Sequence, residues 1–120
     1  MKYRFRLCEA LDFGWPGIKG RAYSSNADFP RASVALFDVE DRHGRVKNPV
    51  SDRIYLVLEG SGEFIIAGEV VEVQATDVVI VPRNTVYDYR GKMKLFLVHA
   101  PAYNPETDVD LEGLQSVGSA

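Results

Sequence analysis

The sequence is poor in cysteine and histidine and carries no large excess of either charge. One cysteine, Cys8, stands among 120 residues, which excludes an intramolecular disulfide. A reducing, cytoplasmic setting is expected, with Cys8 a small packing residue rather than a nucleophile. The two histidines, His43 and His99, form no His-x-His pair or comparable metal-ligand spacing. The formal net charge is -3, and no cluster of Lys and Arg suggests a nucleic-acid surface. No run of about 18 apolar residues exists, so no membrane span is expected. The opening MKYRFRLCEALDF has no long apolar stretch after its positive charges and does not read as a secretory signal.

What is present is an ordinary globular balance, 46% hydrophobic and 26% charged, enough for one buried core. A single domain over residues 1–120 is expected. Gly and Pro punctuate nearly the whole chain, and Val, Ile, Phe and Tyr fill the runs between them, as strands require. The pattern predicts strands near 3–7, 19–24, 32–40, 53–59, 62–67, 69–74, 77–82, 86–90 and 93–100. Short strands at this spacing define an all-β sandwich or barrel. The segment 12–20, DFGWPGIKG, reads as a loop with Trp15 as a packing anchor. Gly60-Ser61-Gly62 reads as a hairpin turn. The polar stretch 40–52 is a long connection, a common place for function. The tail 105–120 reads as acidic and partly flexible, with Leu111 and Leu114 able to pin a short turn to the barrel and Asp108 and Asp110 solvated.

The segment RIYLVLEGSGEFIIAGEVVEVQATDVVIVPRNTVYDYR (53–90) resembles the cupin superfamily, over roughly 32–102. That resemblance implies a double-stranded β-helix, or jelly-roll, barrel. Cupins carry two short motifs, G-x5-H-x-H-x(3,4)-E-x6-G and G-x5-P-x-G-x2-H-x3-N. Anchoring the first on Gly60 puts its glutamate at Arg53. Its histidines then fall on Val46 and Asn48, or on Lys47 and Pro49. Anchoring the second on Pro82 puts its glycines at Thr76 and Asn84, its histidine at Tyr87 and its asparagine at Gly91. Asn84 still tolerates a left-handed turn. The metal ligands are replaced: a guanidinium in the carboxylate's place repels a cation, and a tyrosine is protonated near neutral pH.

In that register Arg53, Tyr55, Tyr87 and Tyr89 point into the barrel, with His99 at the end of the last strand. They predict a donor-rich aromatic cavity for a small anionic or polar ligand, held by the guanidinium and oriented by tyrosine hydroxyls. The expectation is a metal-free small-molecule-binding protein without a cofactor. The alternatives are a metal-independent isomerase or epimerase, with Tyr87 or Tyr55 as acid and His99 as base, a displaced metal site using His43, His99 and Glu40 or Asp52, and a solid barrel serving structure or interaction. Tyrosines filling the core, with Arg53 paired to Glu40, Glu63 or Asp88, is the competing arrangement. His43 in that arrangement sits in a solvated turn, and Arg83 lies at the barrel rim. Cupins commonly dimerise, so a homodimer is expected, with Ile54, Leu56 and Leu58 covered by the N-terminal strands or by a partner.

Overall fold

A computed structural model describes residues 1–114. Among them the regular elements are β1 (Leu11–Trp15), β2 (Ile18–Ala22), β3 (Ser33–Val39), β4 (Val46–Lys47), β5 (Asp52–Ile66), β6 (Glu69–Gln74), β7 (Val78–Val81), β8 (Tyr87–Ala100) and β9 (Val109–Asp110), with one 3-10 turn at Leu7–Glu9. The strands form one sheet with the path β1-β2-β3-β8-β4-β9, and β5 adds β6 and β7 beside β8. No helix among these residues is long and apolar enough to cross a membrane.

The long antiparallel pair β5–β8 organises everything else. It aligns Arg53 with His99, Tyr55 with Leu97, and Phe64 with Tyr89. A bulge between Val57 and Glu59 inserts one extra residue in β5. Side chains alternate faces along a strand, so one extra residue shifts the inward set from odd to even numbers. Arg53, Tyr55 and Val57 are buried before the bulge, and Phe64 after it. Strand β8 needs no such shift: Tyr87, Tyr89, Met93, Leu95, Leu97 and His99 are all buried.

Several expectations give way here. Gly60-Ser61-Gly62 is not a turn; it lies inside continuous β5. Its glycines serve close approach instead. A Cβ on Gly91 would stand 2.6 Å from the Gly62 Cα and 2.6 Å from the Ser61 carbonyl oxygen. The two long strands can cross there only without side chains. The segments 86–90 and 93–100 likewise join into β8. The supposed loop 12–20 is the β1–β2 hairpin, closed tightly by Pro16 and Gly17, with Trp15 opposite Ile18. Proline presets the first turn position and Gly17, at φ 91°, supplies the left-handed second one. Residues 3–7 contain no strand, and Cys8 is exposed. The outer face of β5 is not covered by N-terminal strands: Ile54 is 40% and Leu58 41% exposed.

The cupin turn geometry survives the loss of its glycines. Thr76 and Asn84, at the two glycine positions of the second motif, adopt φ 80° and φ 62°. Asparagine adopts this region at little cost; a β-branched threonine adopts it only with strain. Thr76→Gly is expected to stabilise the protein by about 1 kcal/mol, whereas Gly91→Ala, which meets backbone on two sides, should cost at least about 2 kcal/mol. Urea unfolding midpoints of the two variants, compared with the parent, check both signs.

Candidate functional site

The long connection 40–52 is the device that builds the site. Asp88, buried between Tyr87 and Tyr89, takes the Arg42 Nε–H at 2.6 Å and the Gly44 backbone N–H at 2.8 Å. The His43 backbone N–H is donated to the Tyr89 carbonyl at 2.9 Å. Flanked by these anchors, His43 is folded inward rather than left in a solvated turn, and it is 2% exposed. Its ring lies 4.5 Å from the Tyr89 ring and 6.1 Å from that of Tyr87, both stacked, and 5.3 Å from Trp15 edge-on. The Trp15 Nε1–H is donated to the His43 carbonyl at 2.9 Å, so Trp15 is an anchor, and the segment it anchors is this loop.

The imidazole has a defined state. Nδ1 lies 2.8 Å from the Gly44 carbonyl oxygen. A carbonyl only accepts, so Nδ1 carries the proton and Nε2 keeps a lone pair. Burial, helped by the charge of Arg53 and opposed by the Gly44 bond, lowers the pKa of His43 to about 4. Burial, Arg53 and His43 push His99 well below the ordinary histidine value too. Both rings are therefore neutral at physiological pH.

Arg53 is the buried cation at the centre. Its Nη1 donates to Tyr87 Oη at 2.5 Å and its Nη2 to Asp108 Oδ1 at 2.5 Å. Tyr87 Oη is also 2.6 Å from Tyr55 Oη. Burial works against the guanidinium charge, but Tyr87, Tyr55 and Asp108 outweigh it and hold the group cationic. The partner is thus Asp108, not Glu40, Glu63 or Asp88. Burial raises the pKa of Tyr55, Tyr87 and Tyr89, keeping all three protonated. Tyr89 Oη and Arg53 Nε are buried with no hydrogen-bond partner among the described residues.

Asp108 reaches Arg53 because the tail is a strap rather than a solvated end. Strand β9 pairs with β4, aligning Val46 with Asp110 and Lys47 with Val109. Glu112 takes the Arg45 backbone N–H and the Arg42 guanidinium. Leu111 donates its N–H to the Arg45 carbonyl. Leu114 sits over Gly44, where an added Cβ would come within 2.9 Å of it. Residues 115–120 lie outside the described residues.

Beside this centre lies a cavity of about 590 Å³, within the range of small-molecule sites. Its polar lining includes His43, Arg53, His99, Tyr103 and Asp108, and its apolar wall includes Phe13 and Trp15. Of the five candidate ligand-binding residues, Arg53 and His99 line it. Tyr55, Tyr87 and Tyr89 do not; they fill the core behind His43 and Arg53. The barrel is packed in one part and hollow in another. In the sequence His43 reads as a residue of a solvated turn or a ligand of a displaced metal site, Asp88 as one possible partner of Arg53, and Asp108 as part of a solvated tail; none reads as a wall or support of this cavity. For Asp88 a signal existed: a carboxylate between two buried tyrosines needs a partner.

The structure does not assemble the displaced metal site. Glu40 is exposed and Asp52 is paired with Arg83 at the rim, at 3.3 Å. No group of three or more His, Cys, Asp or Glu side chains able to hold a metal ion occurs among the described residues. The cupin ligand positions hold Arg53 and Tyr87 bonded to each other.

Fold and site define a cupin-like β-barrel protein with a rebuilt centre. The chain belongs to the family of Pac13, a nucleoside dehydratase from Streptomyces: identity is 33% over 92% of each chain, with a TM-score of 0.85. Structures of Pac13 variants with uridine, two carrying a tyrosine-to-phenylalanine and one a histidine-to-glutamine change, match similarly at 32% identity. KdgF from Halomonas sp. shares the fold at 15% identity, covering 88% of this chain and 99% of its own, with a TM-score of 0.77. The polyketide cyclase RemF from Streptomyces resistomycificus does so at 20%, covering 92% and 86%, with a TM-score of 0.72. No protein-family model and no curated protein sequence matches the chain.

The neutral histidines have a thermodynamic consequence. The folded pKa of His43 is about 4, below the unfolded value of about 6.5. The unfolded chain therefore binds more protons between these values, and stability falls as pH drops through that window. The contribution is fully present above about pH 6.5 and is on the order of 3 kcal/mol. His99 acts with the same sign. His43→Gln is expected to flatten the stability–pH curve between about pH 6.5 and 4, measured by denaturant unfolding across that range.

Proposed function

We propose that this protein is a lyase-type enzyme that removes water from a nucleoside or nucleoside-like substrate, with His43 as the general base. One observation carries the reading: a buried, neutral histidine with its Nδ1 proton fixed on the Gly44 carbonyl lines a ligand-sized cavity beside Arg53. Family membership with a nucleoside dehydratase supports it. So does the match in residue types, since a histidine and two tyrosines were the residues altered in the uridine-bound Pac13 variants.

The chemistry follows from the state of the ring. A base this weak removes only a proton acidified by a neighbouring carbonyl or similar group. The substrate class is therefore a hydroxyl compound with its leaving group β to such a centre. His43 takes the proton from carbon, the C–H electron pair becomes the new double bond, and the C–O bond breaks. The departing hydroxide leaves as water with the proton that His43 held, returning the imidazole to its starting state. Behind the cavity the neutral Tyr87 and Tyr55 hydroxyls and the Arg53–Asp108 pair stand as fixed dipoles rather than as a free cation, which suits a substrate with no net charge. Phe13 and Trp15 offer an aromatic wall for a flat base.

The isomerase alternative keeps one supporting observation, namely that His99, a second neutral histidine, lines the same cavity. The two reactions part experimentally. Dehydration yields a product lighter by one water, whereas isomerisation in deuterated water yields label at carbon without that loss. For the dehydratase, uridine is expected to bind in calorimetry. His43→Gln should lower turnover by about 10²-fold or more while leaving uridine affinity within about threefold. Retention of full turnover in His43→Gln would sink the assignment of the base.

A further inference from the structure

We propose that the Arg53–Asp108 pair makes the cavity a charge filter, admitting uncharged and cationic ligands and turning away anionic ones such as phosphorylated nucleosides. The nucleoside identity rests on the proposed dehydratase reading; the order of preference by charge does not.

Among the described lining residues Arg53 is the only one with a permanent positive charge. That charge is already engaged inside the protein. One terminal nitrogen is bonded to Asp108 and the other to Tyr87, and Nε is buried. The Arg53 and Asp108 side chains are 4% and 7% exposed, so the pair is screened little by water. The other charged lining residues are Asp12 and Asp110, both carboxylates. His43 and His99 add no positive charge, being held neutral by burial and by Arg53 itself. His99 is 6% exposed and makes no side-chain hydrogen bond to a described residue, which leaves it for a neutral donor or acceptor on the ligand. An entering phosphate or carboxylate would lose its hydration and meet a cation that another carboxylate has neutralised. The arginine that marks an anion site in the sequence is thereby converted into part of a neutral wall.

The test is calorimetric titration at low ionic strength with two matched sets. The first is uridine, uridine 5′-phosphate and 5′-amino-5′-deoxyuridine. The second places a hydroxyl, carboxylate or ammonium group on one flat ring: tryptophol, indole-3-acetate and tryptamine. In each set the anion is expected to bind at least about 10-fold more weakly than the neutral member, and the cation at least as well as the neutral one. The gap should persist in added salt, because the pair that sets it is buried. Asp108→Asn uncovers the guanidinium and should raise affinity for the anionic members by about 10-fold or more. If that variant does not fold, the order of affinities and its persistence in salt on the unaltered protein decide. Anions binding as well as neutral members, or a gap that added salt abolishes, overturns the filter. If the indole set follows the order and the uridine set does not bind, the filter stands and the nucleoside reading falls. Failure of every member of both sets to bind overturns both.

Discussion

Burying a guanidinium is the constraint on which this barrel turns. A charge such as that of Arg53 cannot leave water without a partner close by, because an unpaired buried ion costs several kcal/mol. The partner, Asp108, lies 55 residues away in sequence, so the tail must cross the barrel to reach it. Strand β9, its pairing with β4, and the Glu112 bonds to Arg42 and Arg45 fix that path. The same guanidinium organises its other side by donating to Tyr87, which in turn meets Tyr55. A charge that would destabilise an ordinary core thus ties β5, β8 and the strap into one arrangement.

That arrangement also sets the chemistry available. A fixed positive charge beside buried imidazoles keeps them from becoming imidazolium, and an imidazole that stays neutral retains a lone pair for work as a base. Asp88 complements this by holding the His43 loop through the Gly44 backbone N–H and the Arg42 side chain rather than by bonding to the imidazole. The ring is oriented by a carbonyl and by stacking, so its direction is fixed without a carboxylate that would raise its basicity. The positions that hold metal ligands in the cupin motifs carry an ion-paired, hydroxyl-rich cluster here, and His43, the base in the proposed reaction, comes from a different segment.

How much of this was legible in the sequence depends on the range of the interaction. The all-β class follows from local alternation and turn chemistry, while the inward register of Arg53 and Tyr55 and the left-handed turn at Asn84 are what the cupin resemblance implies; the structure buries both side chains and puts Asn84 at φ 62°. Gly60-Ser61-Gly62 misleads because a glycine needed for a turn and one needed for a strand crossing look alike in one dimension; only the position of Gly91 on β8 separates them. The hairpin at 11–22 was hidden by the same ambiguity, its Pro-Gly pair reading as loop. His43 and Asp108 stayed obscure for another reason. Each sits in a polar, turn-rich segment whose neighbours are solvated, and each is drawn inward by a partner far off in sequence, Asp88 in one case and Arg53 in the other. Nothing within a few residues of either marks it as buried.

The strap makes the cavity a composite of segments far apart in the chain. Strands β5 and β8 pair with each other without any residue beyond Ala100, and most of the aromatic core belongs to them. Pro105, Asp108 and Asp110 nevertheless line the cavity, and the pairing of β9 with β4 carries them there. Glu112 extends the same strap to Arg42 and Arg45, on either side of His43. The wall that faces a ligand is thus shared between the barrel and a segment outside its long strands, and a change in the strap reaches both Arg53 and the His43 loop.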